Sequence, residues 1–320
     1  MNLIKAIKEH NTLFDIYYLL VRKFAKTFLF RKNNGFYLLD EDWDNLIILD
    51  ACRYDIFREL YLKRKIKGKL FKKISRGSHT IEYLIENFKN KKYDDIVYLT
   101  STPYVNMYCK NNFHKIISVW KYGWDPQFLT VTPESMFDYA MEALIKYPNK
   151  RLIIHFMQPH FPYIGYSIKD LRRNLREKMK KIVNKNDGIY FLDKKFKKSL
   201  FSLYTLRIFA LLKDEFQIKA YIKNLKLVLP FVEKLIEILP GKTAVSTDHG
   251  ESFGEKMHNL FPIKFYGHDM NIRIPSVVEI PWLLVKPEEK DDSFKKEFIK
   301  IAIEREKLRK LIKRINVGDF

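Results

Sequence analysis

The sequence predicts an α/β protein with a mostly parallel central sheet flanked by helices on both faces. Three observations predict it. Short, nearly continuous apolar runs such as Asn-Leu-Ile-Ile-Leu (45–49) and Leu-Ile-Ile-His-Phe (152–156) suit strands buried on both faces. Stretches with apolar residues at helical spacing alternate with these runs, and that alternation implies right-handed crossovers between parallel strands. Finally, several runs stop at a residue able to do chemistry, where ligands bind in open α/β sheets.

The chain has 320 residues, room for one large domain with insertions or for two domains. Hydrophobic residues make up 47%, which excludes wholesale disorder, and the formal net charge of +21 implies attraction to polyanions. Only Cys52 and Cys109 are present, with no C-x-x-C pair, so a reducing interior and a cytoplasmic location are expected. Neither a secretory leader nor a run of roughly 18 apolar residues is evident, and a soluble or peripheral protein is expected.

In order along the chain, residues 1–35 read as an amphipathic basic helix region, able to lie on the inner face of an anionic membrane or to pack on the domain's flank. The strand 45–49 ends at Asp50, a helix cap or a ligand, and a helix is expected over Ile56–Leu62. Lys63–Lys73 reads as basic and irregular. Ser78 and Thr80 precede a helix over Ile81–Phe88, where free N–H groups favour a cap or an anion-handling hydroxyl.

Further strands are expected at Ile96–Thr100, Ile116–Val119 and Arg151–Met157, with a helix over Pro133–Tyr147 before the last. Pro159 and Pro162 hold an extended loop that presents His160 beside the strand ends. Residues 167–216 read as a helical, strongly basic insertion, either a lid or a solvated face. A long helix over Lys219–Leu239 contains Pro230 and feeds the strand Thr243–Thr247. That strand stops at Asp248-His249-Gly250, which reads alone as a capped turn or as a pair of ligands. His268, a final strand Ile280–Val285 and a charged C-terminal helix (291–320) complete the chain.

Carboxylates with one imidazole suit a hard or borderline divalent ion, and a hydroxyl in that sphere becomes a nucleophile at neutral pH. The order of these features resembles the alkaline phosphatase/sulfatase superfamily. The resemblance covers roughly residues 45–285 and is carried by Asp50, Pro159-His160-Phe161-Pro162-Tyr163, Ser246-Thr247-Asp248-His249-Gly250-Glu251, Gly267-His268 and Val278-Glu279-Ile280-Pro281-Trp282.

It implies an alkaline-phosphatase-like domain over 36–290, with Asp50, Asp248 and His249 as metal ligands and Thr80 as nucleophile and ligand. His160 and His268 would contact the substrate anion or a second metal, and Ser78 and Arg53 are candidate substrate contacts. The cofactor implied is a divalent ion (Mn, Zn or Mg), one with a second left open. No Cys-x-Pro-x-Arg motif is present, which turns the resemblance from sulfatases toward lipoteichoic acid synthase-like members with a Thr nucleophile. No Asp-x-x-x-His pair for a second ion is present either.

The expected function is therefore a metal-dependent hydrolase or transferase of phosphate esters, acting on an anionic small molecule, glycan or lipid-linked substrate. Sulfate-ester hydrolysis is the alternative within the superfamily. A non-catalytic protein that binds a polyanion or a membrane surface, with a degenerate metal site, is the alternative outside it. Nucleic acid is disfavoured, because no recognisable motif accompanies the charge.

Overall fold

The structure, a computed structural model, describes residues 33–165, 214–258 and 261–291 together with Lys23, Lys300 and Glu304. The expected N-terminal helix region, basic insertion and C-terminal helix lie, apart from a few positions, outside the described residues. Those described fall in two compact units. The larger takes in the described parts of Lys32–Tyr163, Tyr221–Glu251 and His268–Phe320; the smaller takes in those of Met1–Arg31, Ile164–Ala220 and Ser252–Gly267.

The larger unit is built on a seven-stranded sheet. In chain order the elements of the two units together are β1 (Asn45–Leu49), α1 (Tyr54–Arg64), β2 (Lys69–Ile74), α2 (Thr80–Phe88), β3 (Tyr93–Thr100), α3 (Tyr104–Tyr108) and β4 (Phe113–Ser118). There follow α4 (Val119–Tyr122), the short pair β5 (Trp124–Asp125) and β6 (Thr130–Val131), α5 (Pro133–Lys146) and β7 (Arg151–Phe156). After α6 (Asp214–Ile238) come β8 (Thr243–Ser246), the hairpin β9 (Ser252–His258) and β10 (Phe261–Gly267), α7 (Pro275–Val278) and β11 (Glu279–Val285). The spatial order is β2-β11-β8-β1-β7-β3-β4. β8, β1, β7, β3 and β4 run parallel, while β11 is antiparallel to both β8 and β2.

The α/β class read from the sequence is the class observed. β1, apolar on both faces, sits in the middle, and alternate side chains feed two separate cores. Ile47 and Leu49 of β1, with Leu152, Ile154 and Phe156 of β7, face a core closed by Phe57 and Leu60 of α1 and by Met136 and Ala140 of α5. The stripe Leu225, Val228, Leu229, Val232, Leu235 and Ile236 of α6 fills the same core. On the opposite face Leu46, Ile48, Ile153 and Tyr98 meet Tyr83, Leu84 and Phe88 of α2. This second face decides where the chemistry lies, because the same parity carries past Ile48 to Asp50 and past Ile153 to His155.

Two expectations are corrected. Lys63–Lys73, read as irregular, contains most of β2, an edge strand paired antiparallel with β11. Its lysines sit on an exposed edge, where charge deters further strand pairing, and they mask the alternation that would have announced it. β8 is followed by a loop and a hairpin, so of the two readings of Asp248-His249-Gly250 the capped turn, with Asp248 as a helix cap, does not hold. Boundaries shift modestly elsewhere: β3 begins at Tyr93 and β4 at Phe113, and Val119 opens α4. In the smaller unit β9 and β10 pair antiparallel, with Ser252 donating to Phe265 O at 2.8 Å.

Candidate active site

The residues of interest gather at the carboxyl ends of β1, β7 and β8, with the start of α2 beside them. Register explains the first step. Ile48 pairs with His155 on one side and with Ser246 on the other, so the ends of three adjacent parallel strands are level. One of these runs continues into Asp50 and another into Asp248, and the third already contains His155.

The turn after β1 is fixed from several directions. Ala51 lies in the left-handed region (φ 59), and its N–H donates to Asp248 Oδ1 at 3.1 Å. Tyr221 of α6 donates its hydroxyl to Ala51 O at 2.7 Å and accepts from Arg53 N at 2.8 Å. His160 N donates to Asp50 O at 3.1 Å, which ties the proline loop to the same turn. Asn224, one helical turn along from Tyr221, donates to Pro159 O and His160 O at 3.2 and 3.1 Å. Thus α6 braces both the Asp50 turn and the His160 loop.

The turn after β8 is equally constrained. Asp248 Oδ1 also accepts from His249 N at 2.9 Å, and Thr247 Oγ1 accepts from Cys52 N at 2.9 Å. Gly250 is required by close approach, since a Cβ there would meet Ser276 O at 2.2 Å while Gly250 N donates to Val277 O at 2.6 Å. That approach turns Asp248 and His249 back over the sheet.

Within this frame His249 Nε2 lies 3.3 Å from Asp248 Oδ2, 3.7 Å from Asp50 Oδ1 and 3.2 Å from Thr80 Oγ1. His155 Nε2 lies 3.9 Å from Asp50 Oδ2 and from Asp248 Oδ2. Asp50 Oδ1, Asp248 Oδ2 and His155 Nε2 are buried and have no hydrogen-bond partner. Buried polar atoms are nearly always paired, and Asp50, His155 and Asp248 each offer a donor atom within 4.8 Å of the others, so these unpartnered atoms call for an occupant. Donors bound at about 2.0–2.1 Å to a tetrahedral divalent ion stand roughly 3.3 Å apart. The observed separations match that spacing or exceed it slightly, so the residues fit a metal ion.

The electrostatics agree with this. Burial, the Asp248 carboxylate and Glu251 push the Asp50 carboxyl well above its ordinary range. Burial opposes ionisation of Asp248 too, but His249, His155, the Ala51 N–H and the Thr80 hydroxyl together hold its carboxyl below the usual value. Two carboxylates this close cannot both ionise readily without a cation between them.

The imidazoles are fixed by what their second nitrogen touches. His249 Nδ1–H donates to Gly250 O at 2.8 Å and His160 Nδ1–H to Phe161 O at 2.5 Å. His268 Nδ1–H donates to Glu251 at 2.9 Å, so each of the three presents an unprotonated Nε2. Burial, His160 and Asp248 leave His268 at about 3, the first two outweighing the third. Burial, only partly offset by Asp248, lowers His155 to about 4. His160, Glu251 and His268 form a second group of donor atoms within 4.8 Å of one another. Ring centroids of His249 and His268 are 4.2 Å apart, and those of His160 and His268 are 5.0 Å apart, so the two groups adjoin.

Thr80 is the first residue of α2 and is buried, its hydroxyl beside His249. Ser78, two residues earlier, donates to Glu82 Oε2 at 2.5 Å, with Asp269 O also at 3.0 Å. Glu82 further accepts from Ser78 N and Asn271 N, and Arg273 bonds Ser75 O and Arg76 O, which locks the His268 loop to the start of α2. The Arg53 guanidinium is engaged by Asp55 at 3.0 and 2.6 Å and reaches Glu251 O at 3.3 Å.

The structure thus brings together Asp50, Thr80, Asp248, His249, His160 and His268, with Ser78 and Arg53 at the margin. Sequence reasoning passed over His155, Glu251 and His79. His155 sits inside the quoted strand on the same parity as Ile153, a signal that was present; Glu251 lies in the Asp-His-Gly-Glu element itself. His79 carries no periodic signal.

No family model and no curated protein matches the chain. Solved structures do. An integral membrane protein, lipooligosaccharide phosphoethanolamine transferase A from Neisseria meningitidis, aligns at 14% identity and TM-score 0.49 over 85% of this chain and 55% of that one. The C-terminal periplasmic domain of EptC from Escherichia coli, in complex with Zn, aligns at 15% identity and TM-score 0.46, covering 77% of this chain and 72% of that one. A protein in the alkaline phosphatase superfamily from Vibrio parahaemolyticus aligns at 13% and TM-score 0.41, covering 77% and 60%. These are likenesses of fold.

The cytoplasmic location is corrected by the same comparisons, since the matched chains include a periplasmic domain and an integral membrane protein. Cysteine scarcity does not support that location. Both thiols are free and buried, so neither reports on the redox compartment. No helix among the described residues is long and apolar enough to cross a membrane.

Proposed function

We propose that this chain is a metal-dependent transferase or hydrolase of phosphate esters. Thr80 is the nucleophile, and Asp50, Thr80, Asp248 and His249 hold a divalent ion with His155 alongside. One observation carries the reading: Asp50 Oδ1, Asp248 Oδ2 and His155 Nε2 are buried without partners beside a buried threonine hydroxyl at a helix start. A divalent ion bound there lowers the pKa of an adjacent hydroxyl and offsets negative charge on a phosphoryl group.

The chain's own part is positional. Thr80 Oγ1 forms the bond to phosphorus as the bond from phosphorus to the leaving oxygen breaks, and the group then passes to water or to an acceptor hydroxyl. His249 Nε2 and Asp248 face the Thr80 hydroxyl; both would be engaged as ligands with the ion bound, so the hydroxyl proton passes to water. His160 and His268, each with an unprotonated Nε2, accept a hydrogen bond from the acceptor hydroxyl or hold a second cation together with Glu251. Ser78 and Arg53, already engaged by Glu82 and Asp55, shape the margin of the site. The substrate class is an anionic glycan or lipid-linked phosphoester, in keeping with the net charge of +21.

The test is metal analysis of the purified protein, followed by turnover of aryl phosphate mono- and diesters with Mn, Zn and Mg in wild type, Thr80→Ala and Asp248→Ala. Near-stoichiometric metal and loss of turnover in both variants is the expected result. Undiminished turnover in both refutes the proposal. Protein that binds no metal but binds polyanions or anionic vesicles in a salt-sensitive way supports the binding-protein reading instead.

A further inference from the structure

His79 belongs to neither group of metal-ligating atoms, yet its ring lies among them. Its centroid is 5.5 Å from that of His268 and 6.1 Å from that of His249, and Tyr104 stands 6.2 Å away on another side. It is the residue immediately before Thr80 and is half-buried, whereas Thr80 is buried.

What separates His79 from the other imidazoles is its orientation. It is the N-cap of α2, and its Nδ1 accepts a hydrogen bond from Ile81 N at 3.1 Å. A nitrogen that accepts from an amide carries no proton, so in the neutral ring the proton is on Nε2. His160, His249 and His268 are anchored in the opposite sense, each donating through Nδ1 and presenting Nε2 as an acceptor. A phosphoryl group offers only acceptor oxygens, and it must therefore be met by donors or by cations. Of these four rings, only His79 is fixed by the backbone as an Nε2–H donor.

We propose that His79 is a substrate-binding residue whose Nε2–H donates to a non-bridging oxygen of the phosphoryl group attacked by Thr80. This rests on the function proposed above and adds to it a donor held by the cap of the same helix that presents the nucleophile. The cap does two things at once: it satisfies a free amide of α2, and it selects the tautomer that points a proton away from the helix. Movement of α2 would carry nucleophile and donor together.

The test separates cap from donor. Asn is a strong N-cap, so His79→Asn retains an acceptor for Ile81 N and removes the Nε2–H; His79→Ala removes both. The probe is inorganic phosphate, titrated by calorimetry into metal-loaded protein, alongside metal content and thermal midpoint. In His79→Asn, phosphate affinity is expected to fall about 10- to 100-fold, the effect of losing one hydrogen bond to a charged group. Metal content and midpoint remain those of wild type. His79→Ala is expected to lose affinity to the same extent and also to melt lower.

Phosphate affinity within twofold of wild type in His79→Asn overturns the proposal. So does an Asn variant that loses its metal, which would assign His79 a purely structural part. Wild-type protein that binds neither metal nor phosphate overturns the parent reading as well, and the two failures are thereby distinguished.

Discussion

Replacing Asp248 by Asn removes a charge from the centre of the site while nearly preserving its shape. Asp248 Oδ1 accepts from Ala51 N at 3.1 Å and from His249 N at 2.9 Å, and an amide oxygen can keep both bonds. The Oδ2 position, 3.3 Å from His249 Nε2 and 3.9 Å from His155 Nε2, becomes an NH2 group that donates to imidazole and cannot ligate. A ligand present at 100 times its dissociation constant stabilises the folded state by about 2.7 kcal/mol. For a protein of this size that corresponds to a rise of about 5 °C in melting temperature. The assay is thermal melting of wild type and Asp248→Asn with Zn, Mn and Mg added in turn. Wild type should gain about 5 °C with at least one ion at that saturation. The variant should gain under about 1 °C at the same concentration, and its metal-free melting temperature should stay close to wild type because the two backbone bonds survive. An equal metal-induced rise in both proteins would refute the assignment of Asp248 as a ligand.

Metal-free protein should lose stability as pH falls from about 6.5 toward 4. His155 is held neutral by burial, its pKa down from 6.5 to about 4, so the unfolded chain takes up that proton first. The sign follows: the contribution is intact above 6.5 and is lost through 4, to a limit of roughly 3 kcal/mol. Denaturant melts at several pH values check this, and a flat profile over that window contradicts it. Tyr98→Phe removes the hydroxyl 2.9 Å from His155 Nδ1 and should weaken metal binding by about 10- to 100-fold with little change in fold, as read by competition with a chelating dye. Unchanged affinity would show that the Tyr98–His155 contact does not support the ion. Gly250→Ala places a Cβ where Ser276 O lies at 2.2 Å and should cost about 2–4 kcal/mol in chemical denaturation, with loss of bound metal. A stable, metal-loaded Ala variant would show that the turn does not depend on this approach.

What the sequence disclosed follows from where its signals are local. β1 and β7 are buried on both faces and read as unbroken apolar runs, and α6 carries its stripe at helical spacing. The polar stops after β1 and β8 therefore located Asp50, Asp248 and His249 correctly at strand ends. β2 escaped notice because an edge strand of this sheet is selected for lysine as much as for apolar alternation. The hairpin after Glu251 escaped because its strands, with Gly254 and Glu255 in one and Pro262 in the other, have no clean alternation. His155 and His79 depend on relations no local pattern contains: one on the registration of three strands, the other on which ring nitrogen a helix amide selects. The same limit applies to Ser78 and Thr80, equivalent as hydroxyls before a helix until Glu82 is seen to engage one and His249 to adjoin the other.

The most direct measurement of the central claim is mass spectrometry of the metal-loaded protein quenched during incubation with an aryl phosphate ester. The account predicts a phosphoryl-containing adduct on the peptide that carries Thr80, localised to Thr80 by fragmentation and absent from Thr80→Ala. Turnover with no covalent adduct, or with the adduct on Ser78, would contradict it.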